Sequence, residues 1–174
     1  MSQVHNGVTH AAKAEADSYR GDEERPLGGY IVVIAVFAAI VAGAAGLAAA
    51  TRRTLPTGVG PWDVLLLAAA THKVSRTITK DAITSPLRAP FTRYEDTGGP
   101  AEVMEDARTA SGVRHAVGEL VTCPFCLDVW IATGFAFGYV FAPRATRLIT
   151  ATFTALAGAD FLHLLYAKGQ QAAQ

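Results

Sequence analysis

The chain has 174 residues, of which 51% are hydrophobic and 17% charged, and its formal net charge is zero. This length suits one domain, the charged fraction lies below the roughly 25% of soluble domains, and a neutral chain has no global field that would attract nucleic acid. The sequence contains no nucleophile–base pair, phosphate-binding loop or cofactor fingerprint, so it gives no reason to predict an enzyme.

The amino-terminal part combines a polar tail with a long apolar segment. Residues 1–29 are rich in polar and charged side chains, and we expect a disordered tail there. Residues 30–50 carry no charge, and a helix of this length covers the hydrocarbon layer, which is about 30 Å thick. A cleaved signal peptide fits less well, because the apolar run is too long and starts too late. We therefore predict a transmembrane helix over residues 30–50.

The second hydrophobic segment, residues 59–78, is weaker. Its apolar core runs from Val64 to Ala70, and three polar or basic side chains, His72, Lys73 and Arg76, follow. Long basic side chains near a helix end can extend to the headgroups, which is compatible with a span. A helix lying half-buried at the membrane surface is the alternative. We expect four spans, with three as the alternative.

A long polar segment, residues 79–118, follows the second helix. Two residue–proline pairs, ending at Pro86 and Pro90, favour extended backbone over helix. A short helix is predicted over residues 102–107. The segment as a whole is predicted to be a loop.

Two further apolar helices, residues 123–142 and 146–167, precede a short tail, residues 168–174. The predicted fold is therefore all-α, an integral membrane protein. Gly134 and Gly138 have the GxxxG spacing that lets helices approach closely in lipid, and they predict a contact between copies of the chain.

The distribution of Lys and Arg predicts the orientation, because connecting segments on the cytoplasmic side carry more of them. With four spans and the amino terminus inside, the cytoplasmic segments hold eleven Lys and Arg and the opposite segments four. With three spans and the amino terminus outside, the numbers are ten and five. Both arrangements predict that the loop at residues 79–118 is cytoplasmic.

Charged and aromatic side chains within the apolar segments need partners or interfacial positions. We predict an intramembrane ion pair that joins Arg76 to Asp160, with Asp128 as the other carboxylate at similar depth. Trp130 is expected in the aromatic belt at the membrane surface, with internal packing as the alternative.

The chain's two cysteines, in the sequence CPFC, open the helix at residues 123–142. Cys123 is predicted to cap this helix and Pro124 to be its first residue, where a missing N–H is harmless. Two alternatives remain open. Cys126 and Cys123 could bind zinc or iron with His72 and His163, or they could cycle between thiols and a disulfide.

Three stretches, THKVSRTITKDAITSPLRAPFTRYE, GELVTCPFCLDVWIATG and AGADFLHLLYA, resemble the bacterial membrane-protein family catalogued as domain of unknown function 1360. The resemblance covers roughly residues 62–167, and the tail and first helix lie outside it. It implies a bacterial integral membrane protein and no particular activity. We expect the protein in the inner membrane. The positions that carry it best, besides the two cysteines, are Arg76, Asp81, Thr84, Arg88, Pro90, Phe91 and Trp130.

These observations favour a small, non-enzymatic membrane component that acts through its cytoplasmic loop as a scaffold or interaction surface. Its expected partners are the lipid bilayer and a membrane or cytoplasmic protein, without nucleic acid. A metal-binding or thiol-redox protein centred on the CPFC pair is the alternative. A transporter subunit is the second alternative, because charged side chains lie inside the membrane segments.

Overall fold

The computed structural model describes residues 10–11, 13–19, 25–56, 58–109 and 111–173. In chain order the elements are helix α1 (Leu27–Ala50), helix α2 (Pro61–Thr79), a 3₁₀ turn (Ala82–Thr84), helix α3 (Ser85–Arg88), strands β1 (Thr92–Thr97) and β2 (Val103–Ala107), and helices α4 (Gly112–Thr122), α5 (Pro124–Phe141) and α6 (Pro143–Ala172). Residues 10–11 and 13–19 are also helical.

Among the described residues, three helices are long and apolar enough to cross a membrane: α1, α5 and α6. Their outer faces carry large exposed apolar side chains such as Ile40 on α1 and Leu148 and Phe161 on α6. The mainly helical fold with apolar helices of spanning length agrees with the sequence-based prediction. Helix α2 is more polar and does not belong to this group.

The long helices α1, α2, α5 and α6 alternate in direction. Helix α2 runs parallel to α6, since Asp63 faces Arg147 at 3.5 Å and, further along both helices, Lys73 contacts Asp160 at 2.7 Å. Helix α5 runs antiparallel to α6, because the two are joined by the short turn at Ala142. Helices α2 and α6 therefore end, and α1 and α5 begin, at one end of the bundle, which we call the hairpin end.

Small and hydroxyl-bearing residues fill the contacts between the helices. The buried side chains include Ala70, Ala157, Ser75, Thr79 and Thr150. Small side chains let helix backbones approach closely. Two of the buried hydroxyls bind backbone one turn earlier: Thr79 donates to the Ser75 carbonyl at 2.7 Å, and Thr150 donates to the Thr146 carbonyl at 3.0 Å. The Thr71 hydroxyl is buried without a hydrogen-bond partner among the described residues.

Gly138 serves this packing within one chain. A Cβ added at Gly138 would lie 2.6 Å from the Thr146 hydroxyl oxygen, whereas a Cβ at Gly134 would meet no other described atom within 4 Å. Gly138 therefore takes part in packing within the chain, and the contact between copies through Gly134 and Gly138 stays a prediction. The turn at Ala142 folds α6 back onto this face of α5, so the position is already covered.

The polar segment after α2 folds into a β-hairpin. Strands β1 and β2 pair antiparallel from Thr92 opposite Ala107 to Thr97 opposite Val103, with an irregularity at Glu95. The helix predicted at residues 102–107 is wrong, because these residues form β2. Alternate residues of β2 are half-buried and exposed, the period of a strand.

Other bounds also differ from the predictions. The segment predicted as a loop contains the 3₁₀ turn, α3, the hairpin and the first part of α4. Helix α6 begins at Pro143, earlier than predicted, because proline is tolerated at the first position of a helix. The expected disordered tail at residues 1–29 lies largely outside the described residues, and its described residues 10–11 and 13–19 are helical.

Candidate functional site

The hairpin end is organised around Arg88, whose side chain is 1% exposed. Arg88 is the last residue of α3, and Pro86 lies in the first turn of this short helix, where proline is tolerated. Its guanidinium forms two hydrogen bonds with Glu105 on β2, from Nε at 2.7 Å and from Nη2 at 3.2 Å. Such a two-point contact matches the planar guanidinium to the carboxylate and is stronger than a single hydrogen bond between neutral groups.

The remaining N–H groups of Arg88 bind the surrounding backbone and hydroxyls. Nη1 donates to the Ile78 carbonyl and to the Thr84 hydroxyl, each at 2.6 Å. Nη2 donates to the Asp81 carbonyl at 3.1 Å and to the Ser85 hydroxyl at 3.2 Å. One side chain therefore connects the end of α2, the 3₁₀ turn, α3 and the hairpin.

The partner carboxylate of Glu105 is 6% exposed and accepts a further hydrogen bond from Thr92 at 3.1 Å. Burial raises the pKa of Glu105, but the hydrogen bond and charge of Arg88, with hydrogen bonds from Ser85 and Thr92, outweigh it. The pKa of Glu105 is therefore below its ordinary value of 4.5. The pair stabilises the fold above that ordinary value, and this contribution is lost as the pH falls through the lowered pKa.

A second arginine, Arg76, fastens the tip of the hairpin to α2. Its Nε and Nη2 donate to the Glu102 carboxylate at 3.1 and 2.7 Å. Nearby, the Val103 amide donates to the Lys80 carbonyl at 2.9 Å. The hairpin is thus bound to α2 by its tip as well as by Arg88.

These contacts correct the predicted intramembrane pair of Arg76 with Asp160. Arg76 pairs with Glu102, because the hairpin folds back against the end of α2. Asp160 pairs with Lys73 instead, at 2.7 Å, because α2 and α6 run side by side. Asp128 takes part in neither pair, and one of its carboxylate oxygens is buried without a hydrogen-bond partner among the described residues.

Three other positions that carry the family resemblance connect neighbouring segments of the chain. The Pro90 carbonyl accepts a hydrogen bond from Arg114 Nε at 2.8 Å, and the Phe91 carbonyl accepts one from the Arg108 amide at 2.8 Å. Trp130 packs edge-on against Phe37 with ring centroids 5.0 Å apart, so it contacts α1 within the bundle. This contact corresponds to internal packing, which was the alternative to a position in the aromatic belt.

The cysteines begin α5 as predicted. Cys123 is the capping residue, Pro124 is the first helical residue, and the Cys126 amide donates to Cys123 Sγ at 3.2 Å. Both thiols are free. The capping prediction is confirmed, because the Cys123 side chain accepts a hydrogen bond from an amide of the first helical turn.

The predicted metal ligands Cys123, Cys126, His72 and His163 do not come together. Both histidines are exposed, His72 on α2 and His163 on α6. Within the described part of the chain, no three His, Cys, Asp or Glu side chains are grouped as metal ligands. Both imidazoles are turned outward by the rotation of their helices, which the sequence spacing within each helix does not specify.

A cleft of about 410 Å³ lies beside the hairpin, between β2 and α4. Sequence reasoning missed it, although the spacing of His115 and Glu119 by one helical turn on α4 was a signal. Glu119 accepts a hydrogen bond from Tyr30 at the start of α1, and His115 Nε2 lies 3.4 Å from the same carboxylate. The charged and polar residues along the cleft include Arg93, Asp106, Arg108, Thr109, His115 and Glu119.

Comparison with known proteins gives one family and a distant relative. The family described as "Protein of unknown function (DUF1360)" matches residues 66–166, more than half of the chain. The "Sporulation protein YjcA" of Bacillus subtilis (strain 168) is 27% identical over 111 residues, which cover 62% of this chain and 93% of that protein. No solved structure matches the chain.

Replacing Arg88 by methionine is expected to lower the free energy of unfolding by about 3–5 kcal/mol, because the Glu105 carboxylate stays buried without its partner. The exposed pair of Arg93 and Glu95, 2.8 Å apart, provides the control, and Arg93→Met should cost less than about 1 kcal/mol. Chemical denaturation in detergent measures both. Equal effects of the two substitutions would contradict the central role of Arg88.

Glu105→Gln should also reduce the loss of stability that wild type shows on acidification.

The capping role of Cys123 predicts that serine replaces it well and leucine does not. Cys123→Ser should keep the melting temperature within a few degrees, whereas Cys123→Leu should cost about 1 kcal/mol, the value of a lost cap. Cys126→Ser is the control, since its backbone amide and not its thiol makes the bond. Near-stoichiometric zinc or iron in the purified wild type, absent from Cys123→Ser, would show that the thiols bind metal instead.

Proposed function

Because the chain belongs to the DUF1360 family of proteins of unknown function, we propose a function from the site itself. The protein is a multi-pass component of the bacterial inner membrane, and its hairpin is a fixed interaction surface on the cytoplasmic side. The action is binding, without catalysis. This proposal rests above all on the buried pair of Arg88 and Glu105.

The buried pair of Arg88 and Glu105 supports the proposal of an interaction surface, because a segment that only connects two helices does not need a buried ion pair. A buried guanidinium is tolerated when its donors are paired, and here Arg88 binds Glu105, three hydroxyl or carbonyl groups of the 3₁₀ turn and α3, and the end of α2. These bonds hold the hairpin in one position relative to the helices. A preformed surface loses less conformational entropy when a partner binds.

The outer face of the hairpin is available for such a partner. In β1, every residue after Thr92 is exposed, and Tyr94 is 61% exposed. Tyrosine is enriched at protein interfaces, because its large ring buries area and its hydroxyl forms a hydrogen bond. The donors of Arg88 and Arg76 are directed to the hairpin's own carboxylates, which favours a structural over a catalytic role for both arginines.

We place four helices across the membrane, with α2 as the fourth span. Helix α2 runs along α6 for much of its length, and its charged side chains Asp63 and Lys73 have partners on α6. The Thr154 hydroxyl also donates to the Leu66 carbonyl at 2.9 Å. Paired charges and small side chains in helix contacts are tolerated within a bilayer. The excess of Lys and Arg at the hairpin end supports a cytoplasmic location of that end.

The relative from Bacillus subtilis carries the name of a sporulation protein. We extend this to a proposed role for the hairpin in bringing a partner to the membrane during a developmental process such as spore formation. The similarity covers nearly all of that relative and includes the hairpin region of this chain.

The proposed topology predicts which positions react in intact cells. In a background with Cys123→Ser and Cys126→Ser, single cysteines are introduced as Arg53→Cys, Gly99→Cys and Arg144→Cys and treated with a membrane-impermeant maleimide. We expect labelling at positions 53 and 144 in intact spheroplasts, and at position 99 after lysis only. Labelling at 144 without 53 would indicate three spans, and labelling at 99 before lysis would reverse the orientation.

The proposed interaction predicts a cross-link from the hairpin. A photoreactive phenylalanine derivative at Tyr94 should give a discrete adduct with another protein in living cells. The control position is Leu148, which is 70% exposed but lies at the opposite end of the bundle. Arg88→Met should abolish the Tyr94 adduct, because the hairpin is no longer held. An adduct that survives this substitution, or the absence of any protein adduct at Tyr94, would contradict the proposal.

A further inference from the structure

The cleft beside the hairpin contains charged groups that the fold leaves unmatched. Asp106 takes part in no side-chain hydrogen bond or ion pair with the described residues. Within the same part of the chain, the Arg108 guanidinium makes a single hydrogen bond, from Nη1 to the Ala89 carbonyl at 3.3 Å. The cleft therefore offers one carboxylate and most donors of one guanidinium to a ligand.

The strand pairing strengthens this point. Arg93 lies directly opposite Asp106 in the antiparallel register, a position that favours an ion pair. Arg93 instead contacts Glu95 on its own strand at 2.8 Å. The Asp106 carboxylate is thus left facing the cleft, although Arg93 lies opposite it on the neighbouring strand.

A second carboxylate gives the cleft its polarity. Glu119 lies on the α4 side, where it meets the Tyr30 hydroxyl and His115, and Arg25 Nη1 lies 4.0 Å from its carboxylate. The charged groups along the cleft are two guanidinium groups and two carboxylates, so its lining is balanced in charge. A purely anionic ligand would bring its charge close to Asp106 and Glu119, and like charges brought together oppose binding.

The level of the cleft identifies where a ligand could come from. Tyr30, whose hydroxyl binds the lining residue Glu119, belongs to the first turn of α1. Thr122, which lines the cleft, directly precedes the capping residue of α5. The cleft therefore lies where two apolar helices begin. In the proposed membrane arrangement this is the layer of lipid headgroups.

We propose that this cleft binds a phosphoethanolamine group. The phosphate is placed at Arg108, since guanidinium donors match phosphate oxygens. The ammonium is placed at Asp106, the carboxylate without a side-chain partner among the described residues, which accepts its N–H groups. The volume of about 410 Å³ leaves room for this headgroup. The group is carried either by a membrane lipid or by free glycerophosphoethanolamine, and the inference rests on the proposed function only for the choice between these sources.

The test uses the full-length chain, purified in detergent and stripped of lipid, with binding followed by native mass spectrometry. Short-chain phosphatidylethanolamine is compared with phosphatidylglycerol of the same acyl chains and with free glycerophosphoethanolamine. We expect one phosphatidylethanolamine per chain and about tenfold weaker binding of phosphatidylglycerol, the size of a lost charge-assisted contact. If free glycerophosphoethanolamine competes with the lipid, a soluble source is also possible for the cleft. If it does not compete, the membrane lipid is the source.

Two variants separate the roles of the charges. Arg108→Gln should weaken binding of phosphatidylethanolamine about tenfold, and Asp106→Asn should remove its preference over phosphatidylglycerol. Both residues are exposed, so unchanged melting temperatures are expected, and Arg144→Gln at the far end of the bundle is the control. Equal binding of the two lipids by wild type, or wild-type binding by both variants, would overturn the proposal. Neither outcome bears on the hairpin cross-link, which tests the proposed function separately.

Discussion

The buried contact between Arg88 and Glu105 is the interaction on which the hairpin end depends. A charged pair this deeply buried requires that every donor and acceptor find a partner, because an unpaired one would cost several kcal/mol, on the order of 3–5. The chain meets this requirement by bringing the end of α2, the 3₁₀ turn, α3 and β2 to a single guanidinium. Specific geometry, more than large hydrophobic burial, therefore positions the polar segment.

The helical part follows a different rule. Its interior consists mainly of alanine, serine and threonine, and its large apolar side chains point outward, as in Ile40 and Leu148. This is the reverse of a water-soluble bundle, and it suits helices whose outer surface meets lipid while small side chains pack inside. The polar character of α2 fits the same rule, since Lys73 and Asp63 meet opposite charges on α6.

The hairpin end then carries two surfaces of different kinds. The exposed face of β1 presents Tyr94 to the surroundings, whereas the cleft beside α4 is lined by charged side chains. Both depend on the Arg88 contact, because β2 supplies Glu105 to the network and also Asp106 to the cleft. Neighbouring residues of a strand point to opposite faces. Because Glu105 is held in the interior by Arg88, the side chain of Asp106 points to the other face, toward the cleft.

The sequence by itself determined the apolar helices and the start of α5, because both follow from local rules: uninterrupted apolar length, and a capping residue followed by proline. Only the tertiary structure decided which charges meet. Arg76 and Asp160 share a depth, but depth does not specify the rotation of a helix or the path of the segment between helices. Glu102 and Glu105 lie far along the chain from Arg76 and Arg88, and a hairpin had to form before either pair could exist. Such contacts depend on folding back of the backbone, which no local pattern encodes.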